Sequence, residues 1–368
     1  MKRKKSPGSV FQWTVITVLT LVAVYLTHDF RRARVLMATA PVPTSRISAD
    51  GGDSAETRRS GGTSASLGSS NEAKAILERT IERIESLKSV TAKIDMRVRV
   101  GKVSVDGNGK YEELFLPSND SQQHSRTLCY GGTSLFRLHL ELPRNAAADE
   151  QGEDDILDIV CDKNTLWTYT SIEGSQRLTE LKLGEMAAVL ARAAESDEVC
   201  EQIALNHLSF PSPLSGFPGL GGITGVLRRL LTCYEFPDKA ETVSLKGKDG
   251  SLRAWRVSGR LRPDVYEKSV KNLLEYNTGE RKAYLDQFPC VVEIYISQQY
   301  EFPYRLCYFS SPEMNLKKKK KLVTIDLTDV YENHFSVVPE NFIYSPGGLT
   351  STDVTHSYIE KLLPGFEF

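Results

Sequence analysis

Val90-Thr91-Ala92-Lys93-Ile94-Asp95-Met96-Arg97-Val98-Arg99-Val100 alternates apolar and polar side chains without an exception. Successive side chains of a strand point to opposite faces, so this stretch predicts a long strand with one apolar face. A strand covered on one side only is typical of an antiparallel sheet. Just upstream, Ser69 and Glu72 have the spacing of a capping box, and Ala73, Leu77, Ile81, Ile84 and Leu87 recur at helical spacing. They predict a helix from about Asn71 to Lys88 that leads directly into the strand.

The alternation returns downstream. Phe136, Leu138, Leu140 and Leu142 stand against Leu135, Arg137, His139 and Glu141, and a looser version runs through residues 252–261 and 322–331. Two hairpins are legible: 156–161 turns through Asp162, Lys163 and Asn164 into 166–171, and 291–297 turns near Glu301 into 304–309. Short turns make such neighbours antiparallel. Between Gly184 and Tyr234 the period becomes helical, with an Ala-rich stretch, a Pro/Gly-rich link and then 223–231, which reads as a helical insertion over about 184–235. Pro263 and Asp264 open another short helix. The fold class is mainly β (α+β): antiparallel strands with a leading helix and helical insertions.

Residues 11–27, FQWTVITVLTLVAVYLT, contain no charge and have about the minimum length for a hydrocarbon core. Lys2, Arg3, Lys4 and Lys5 precede them. Arg31, Arg32 and Arg34 intervene before the small residues Ala38 and Ala40, which argues for a retained signal anchor rather than a cleaved signal. The expected organisation is a cytoplasmic basic tail (1–10), a transmembrane helix (11–28), a Ser/Gly-rich tether (29–70) and one folded domain (71–368) outside the cytoplasm. Residues 1–40 carry seven Lys/Arg and one Asp, a net +6, so the remaining 328 residues carry −7 of the overall −1. A mildly acidic body is a poor nucleic-acid binder.

Chemistry-bearing motifs are sparse. Six histidines (His28, His124, His139, His207, His334 and His356) show no paired ligand spacing, and G-x-S-x-G is absent. Gly219, Gly221, Gly222 and Gly225 superficially suggest a nucleotide loop, but Pro211, Pro213 and Pro218 occupy the place of the strand that would lead into it. The acidic cluster of Asp149, Glu150, Glu153, Asp154, Asp155 and Asp158 lacks the spacing of a calcium loop and reads as a solvated hairpin tip. The six cysteines contain no C-x-x-C; they are buried thiols or include a bridge such as Cys200 to Cys233. No catalytic residue, metal ligand or cofactor site is expected.

Several stretches resemble the LolA/LolB-type lipoprotein carrier superfamily, which also includes RseB-like periplasmic sensors. They are Pro303-Tyr304-Arg305 opening a strand, Val323 to Val330 (VTIDLTDV) with Asn333, Val338-Pro339 with Phe342 and Tyr344, and Asp162 to Trp167 with Tyr169, although Lys163 stands where Gly is usual. Asp353-Val354-Thr355 with Tyr358-Ile359 resembles the tail of planctomycete members. The resemblance spans roughly 71–346 and implies an incomplete antiparallel barrel, a half-barrel whose concave face holds acyl chains of lipoproteins or lipids beneath helices. The chain is then expected to be a non-enzymatic, membrane-anchored binding protein of a bacterial envelope, in the inner membrane with its domain in the periplasm. The alternative is an RseB-like sensor regulating an envelope protein partner. Ile94, Met96, Val98, Phe136, Leu138, Leu140, Trp167, Tyr169 and Trp255 are the candidate cavity lining, though for the three aromatics on strands, Trp167, Tyr169 and Trp255, core packing alone is the readier explanation. The run Lys317, Lys318, Lys319, Lys320 and Lys321 is a candidate contact for anionic lipid.

Overall fold

The computed structural model describes residues 72–100, 103–116, 134–143, 154–162, 164–172, 174–193, 222–247, 250–271, 288–311 and 319–362. The expected basic tail, anchor and tether, with Lys317, Lys318, Cys129 and Cys200, lie outside these residues. No helix among the described residues is long and apolar enough to cross a membrane.

Helix α1 (Glu72–Glu85) leads into β1 (Ser89–Val100), followed by β2 (Val103–Phe115), β3 (Ser134–Leu142), β4 (Asp155–Cys161), β5 (Thr165–Ile172) and β6 (Ser175–Lys182). Two helices, α2 (Leu183–Ala193) and α3 (Gly222–Cys233), precede β7 (Tyr234–Glu235), β8 (Glu241–Gly247) and β9 (Gly250–Leu261). Then come α4 (Pro263–Lys271), β10 (Pro289–Ser297), β11 (Pro303–Ser310), β12 (Lys320–Glu332), β13 (Ser351–Asp353) and α5 (Thr355–Leu362). The strands form one sheet in the order β13-β6-β5-β4-β3-β2-β1-β12-β11-β10-β9-β7, with β8 also on β9. Every neighbouring pair is antiparallel except β13 beside β6. The two ends of this order do not pair with each other, so the sheet is open, as the half-barrel expectation requires.

The first strand, β1, sits in the middle of this sheet, and the last, β13, at one edge. β1 pairs with β2 on one side and with the late strand β12 on the other. Every downstream strand therefore extends away from a seam that only folding can close. The edge at β6 is covered by β13 and by α5, whose Ile359 packs with Leu181 and Met186. Covering an edge in this way blocks pairing with other chains.

Five strands are not anticipated by the alternation or the hairpins seen in the sequence: β2, β6, β7, β8 and β13. β2 contains Asp106, Gly107, Asn108 and Gly109, residues of low strand preference. Its register with β1 is nonetheless unbroken from Ser89↔Leu114 to Val100↔Val103. The reason is spatial: a Cβ on Gly107 would lie 2.6 Å from Leu142 Cδ2, so the missing side chain makes room for the apolar residues of the neighbouring strand.

Candidate functional site

Cross-strand register fixes which residues share a face. One row runs Gly107, Met96, Ile325, Leu306, Ile294 and Val257 across β2, β1, β12, β11, β10 and β9. A second runs Leu140, Gly109, Ile94 and Leu327, and a third Leu138, Tyr111 and Ala92. Ile94, Met96, Val98, Phe136, Leu138 and Leu140 thus occupy one face, and all six are buried. Trp255 is on that face too, opposite Ile296.

Trp167 and Tyr169 are not, which corrects their assignment to the cavity lining. They lie opposite Val160 and Asp158, one residue out of phase with Cys161 and Ile159, and therefore on the other face. There Trp167 stacks on Tyr344 at 5.6 Å, in a small cluster with Leu135, Val160, Val337 and Phe342. Its indole N–H donates to Asp162 Oδ2 at 3.2 Å, and Asp162 Oδ1 accepts from the N–H groups of Asn164 and Thr165. The D-x-x-x-x-W hairpin is an Asx-type turn closed by its own tryptophan. The other motifs behind the resemblance are likewise structural: Arg305 pairs with Asp326, and the Asn333 side chain accepts from the Lys88 N–H at 2.7 Å.

Two helices roof the apolar face. α1 buries Ala73, Ile76, Leu77, Ile81 and Ile84, and α3 buries Ile223, Val226, Leu227 and Leu230, all in one continuous cluster with the sheet. The rim of the roof is held by ion pairs: Arg79 to Glu301 at 3.4 Å, Arg83 to Glu332, and Glu85 to Arg228 of α3 at 2.6 Å. Arg79 also lies over the Trp255 ring at 5.9 Å. Rim pairs of this kind are worth only about 0–1 kcal/mol each. The apolar interior, not the rim, holds the roof down.

At the start of α3 the apolar surface is interrupted by a polar latch. Glu113 and Tyr111, both inward-facing on β2, meet the helix N-terminus: Tyr111 Oη donates to Glu113 Oε2 at 2.6 Å, and the Ile223 N–H approaches Tyr111 Oη at 3.1 Å and Glu113 Oε2 at 3.3 Å. Gly222 makes the approach feasible. Its φ is +58°, and a Cβ there would stand 2.1 Å from Glu113 Oε1. This also explains one of the glycines that imitates a nucleotide loop, since the helix start is occupied by a carboxyl group where a phosphate would have to sit.

Burial pushes the Glu113 carboxyl up to about 7, against the opposing pull of the Ser134 and Tyr111 hydroxyls and the Ile223 N–H. Burial likewise raises Tyr111 well above its ordinary range, with the Glu113 charge adding to the effect. The Ser134 hydroxyl also favours the charged form of the Glu113 carboxyl, but burial outweighs it. Because the folded value lies above the unfolded one near 4.5, this group's stabilising contribution is complete below about pH 4.5 and is lost as pH rises through about 7. The full chain is therefore expected to lose roughly 3 kcal/mol between pH 5 and pH 9 from this group. Glu113→Gln should flatten that slope, as urea unfolding at several pH values will read; an unchanged slope would place the titration elsewhere.

Of the lysine run, Lys319 pairs with Glu293 and lies 4.6 Å over the Phe309 ring, with Lys321 at 5.8 Å over the same ring. Cys290 and Cys307 are buried free thiols, and burial pushes the Cys290 thiol up to about 11, away from the reactive thiolate. Cys233 is buried at the end of α3, while its suggested bridging partner Cys200 is not among the described residues.

Neither a family model nor a curated protein matches the sequence. Solved structures are similar to it at low identity. They include LprF from Mycobacterium bovis (13% identity, 73% of this chain and 97% of that one, TM-score 0.31) and the MucA/MucB complex of Pseudomonas aeruginosa (10%, 74% and 61%, 0.30). A LolA superfamily protein from Nitrosomonas europaea is similar at 11% identity over 74% of this chain and 98% of that one, with a TM-score of 0.25. At these identities and scores no residue's role transfers, and function has to be read from the chain's own geometry.

Proposed function

We propose that the concave face binds acyl chains of a lipid or lipoprotein, and that the protein is a non-enzymatic carrier held to the outside of a bacterial inner membrane. One observation carries the binding reading: an apolar face spanning β9, β10, β11, β12, β1 and β3, broken on β2 by the Tyr111–Glu113 latch, is covered by two amphipathic helices whose rims are tied by weak surface pairs. A ligand enters by parting α1 and α3 and replaces their side chains against the sheet. Apolar burial of about 0.8 kcal/mol per CH₂ makes a long acyl chain a sufficient substitute. The uncharged run at 11–27 and the Ser/Gly-rich segment after it support the anchored, extracytoplasmic placement.

Native mass spectrometry of the full chain extracted from membranes is expected to show co-purifying lipid, and a fluorescent fatty acid should be displaced by it. A lipid-free chain that takes up no fatty acid would end the proposal. Arg228→Glu sets two negative charges against each other on the roof and should speed uptake on the order of fivefold.

The sensor reading draws on a separate feature. Tyr331, His334 and Phe335 form an exposed aromatic group at the end of β12 and just beyond it, with Phe335 88% exposed and ring centroids 5.9 and 4.7 Å apart. Such a group suits an envelope protein partner. A partner that binds the lipid-loaded chain and is lost with Phe335→Ser would favour it.

A further inference from the structure

A pocket of about 290 Å³ opens on the outer face of the sheet, away from the roofed apolar surface. Arg97 and Arg99 of β1, Arg305 of β11, and Lys321, Thr324 and Asp326 of β12 line it. Four cations thus meet one carboxylate. Asp326 is engaged by Arg305 and lies 3.8 Å from Arg97, and Arg99 is held by Asp106 at 2.7 Å and by the carbonyls of Val98 and Val105. Lys321 has no ion pair among the described residues; its ammonium rests over Phe309. Asp326 is the one carboxylate among the lining residues, with Asp106 beside Arg99 and Asp95 opposite Asp326 on the same face, so the four cations keep a net positive charge.

The fold assembles this charge by a specific irregularity. Arg97 and Arg99 are on the polar parity of β1. On β12, Val323 pairs with Tyr308 but Lys321 pairs with Phe309, so Leu322 is an extra residue. This bulge returns Lys321 to the outer face, beside Thr324 and Asp326, where strict alternation would have turned it inward with Val323 and Ile325.

We propose that this pocket binds a phosphate group. Guanidinium forks meet phosphate oxygens in pairs, the ammonium adds a mobile point charge, and the Thr324 hydroxyl supplies a donor at the floor. The net positive charge suits a phosphate group, and the fixed Arg305–Asp326 pair pre-orients one guanidinium. The inference is independent of the acyl-chain reading, because it uses the opposite face of the sheet. It also narrows the lysine run to one member, Lys321, acting with three arginines far from it in sequence.

The test uses the full chain in zwitterionic detergent, titrated by calorimetry at constant ionic strength with inorganic phosphate, dihexanoylphosphatidic acid or dihexanoylphosphatidylcholine. Arg97→Gln and Lys321→Gln are each expected to weaken binding about tenfold, with unfolding midpoints unchanged and Lys74→Gln binding as the unmodified chain does. Binding of inorganic phosphate that both variants weaken identifies a site for free phosphate. Variant-sensitive binding of the phosphatidic acid alone identifies a lipid headgroup, and the phosphatidylcholine should bind no better after either substitution. Absence of any phosphate-dependent heat, or binding that neither variant weakens, would overturn the proposal.

Discussion

Phe136→Ala is expected to cost about 3–5 kcal/mol of folding stability, the range for emptying an aromatic site in a packed core. Phe136 is fully buried, stands in register between Glu113 and Cys161, and stacks on Tyr111 with centroids 6.5 Å apart. Its neighbours belong to three strands and to the roof, so they cannot collapse together into the void. Tyr331→Ala, at a 57% exposed position on the outer end of β12, should change stability by no more than about 0.5 kcal/mol. Urea unfolding of the full chain in detergent compares the two. A loss below about 1 kcal/mol at Phe136 would mean that the roofed face is not the core that stabilises the sheet.

Gly222→Ala should cost at least about 3 kcal/mol, while Gly347→Ala costs about 1–2 kcal/mol. The two glycines share nearly the same backbone, φ +58° and φ +56°. The left-handed penalty for an L side chain is therefore common to both. What differs is the surroundings: a Cβ at 347 meets nothing within 4 Å, whereas at 222 it meets Glu113 Oε1 at 2.1 Å and Cδ at 2.5 Å. The excess loss measures how firmly α3 is seated on the latch. Combining Gly222→Ala with Glu113→Ala should cost less than the two separate losses added, because truncating Glu113 removes the clash. Equal losses at 222 and 347 would show that α3 lifts off the sheet at little cost. In that case the latch would not hold the roof.

The legible parts of this fold are those where one face of an element meets the core. β1 and β3 were readable because Ile94 and Phe136 belong to runs that recur at period two on the buried side, and β10 and β11 because a short turn near Glu301 joins them. α1 was readable from the period of Leu77, Ile81 and Ile84. β2 was not, because its inward positions are Gly107, Gly109, Tyr111 and Glu113, and what they face decides their identity. Trp167 and Tyr169 show the complementary limit: they are aromatic residues on a correctly located strand, but a parity count within that strand cannot say which side faces the roof. Only the pairing of Val160 with Trp167 does so.

The sequence by itself determined the local periods, the leading helix and the strand after it, the two hairpins, the charge division between residues 1–40 and the remainder, and the apolar parity of β1 and β3. These follow from nearest-neighbour chemistry, which a linear pattern carries in full. The tertiary structure decided which strands became neighbours, and with that every feature that joins distant residues. It closed the seam between β1 and β12, set the Glu113 carboxyl beneath the start of α3 across more than a hundred residues, and used one extra residue at Leu322 to bring Lys321 to Arg97. Such contacts depend on register and burial. Neither has a counterpart in the spacing of residues along the chain, because a single bulge or a single glycine shifts them without altering the pattern on either side.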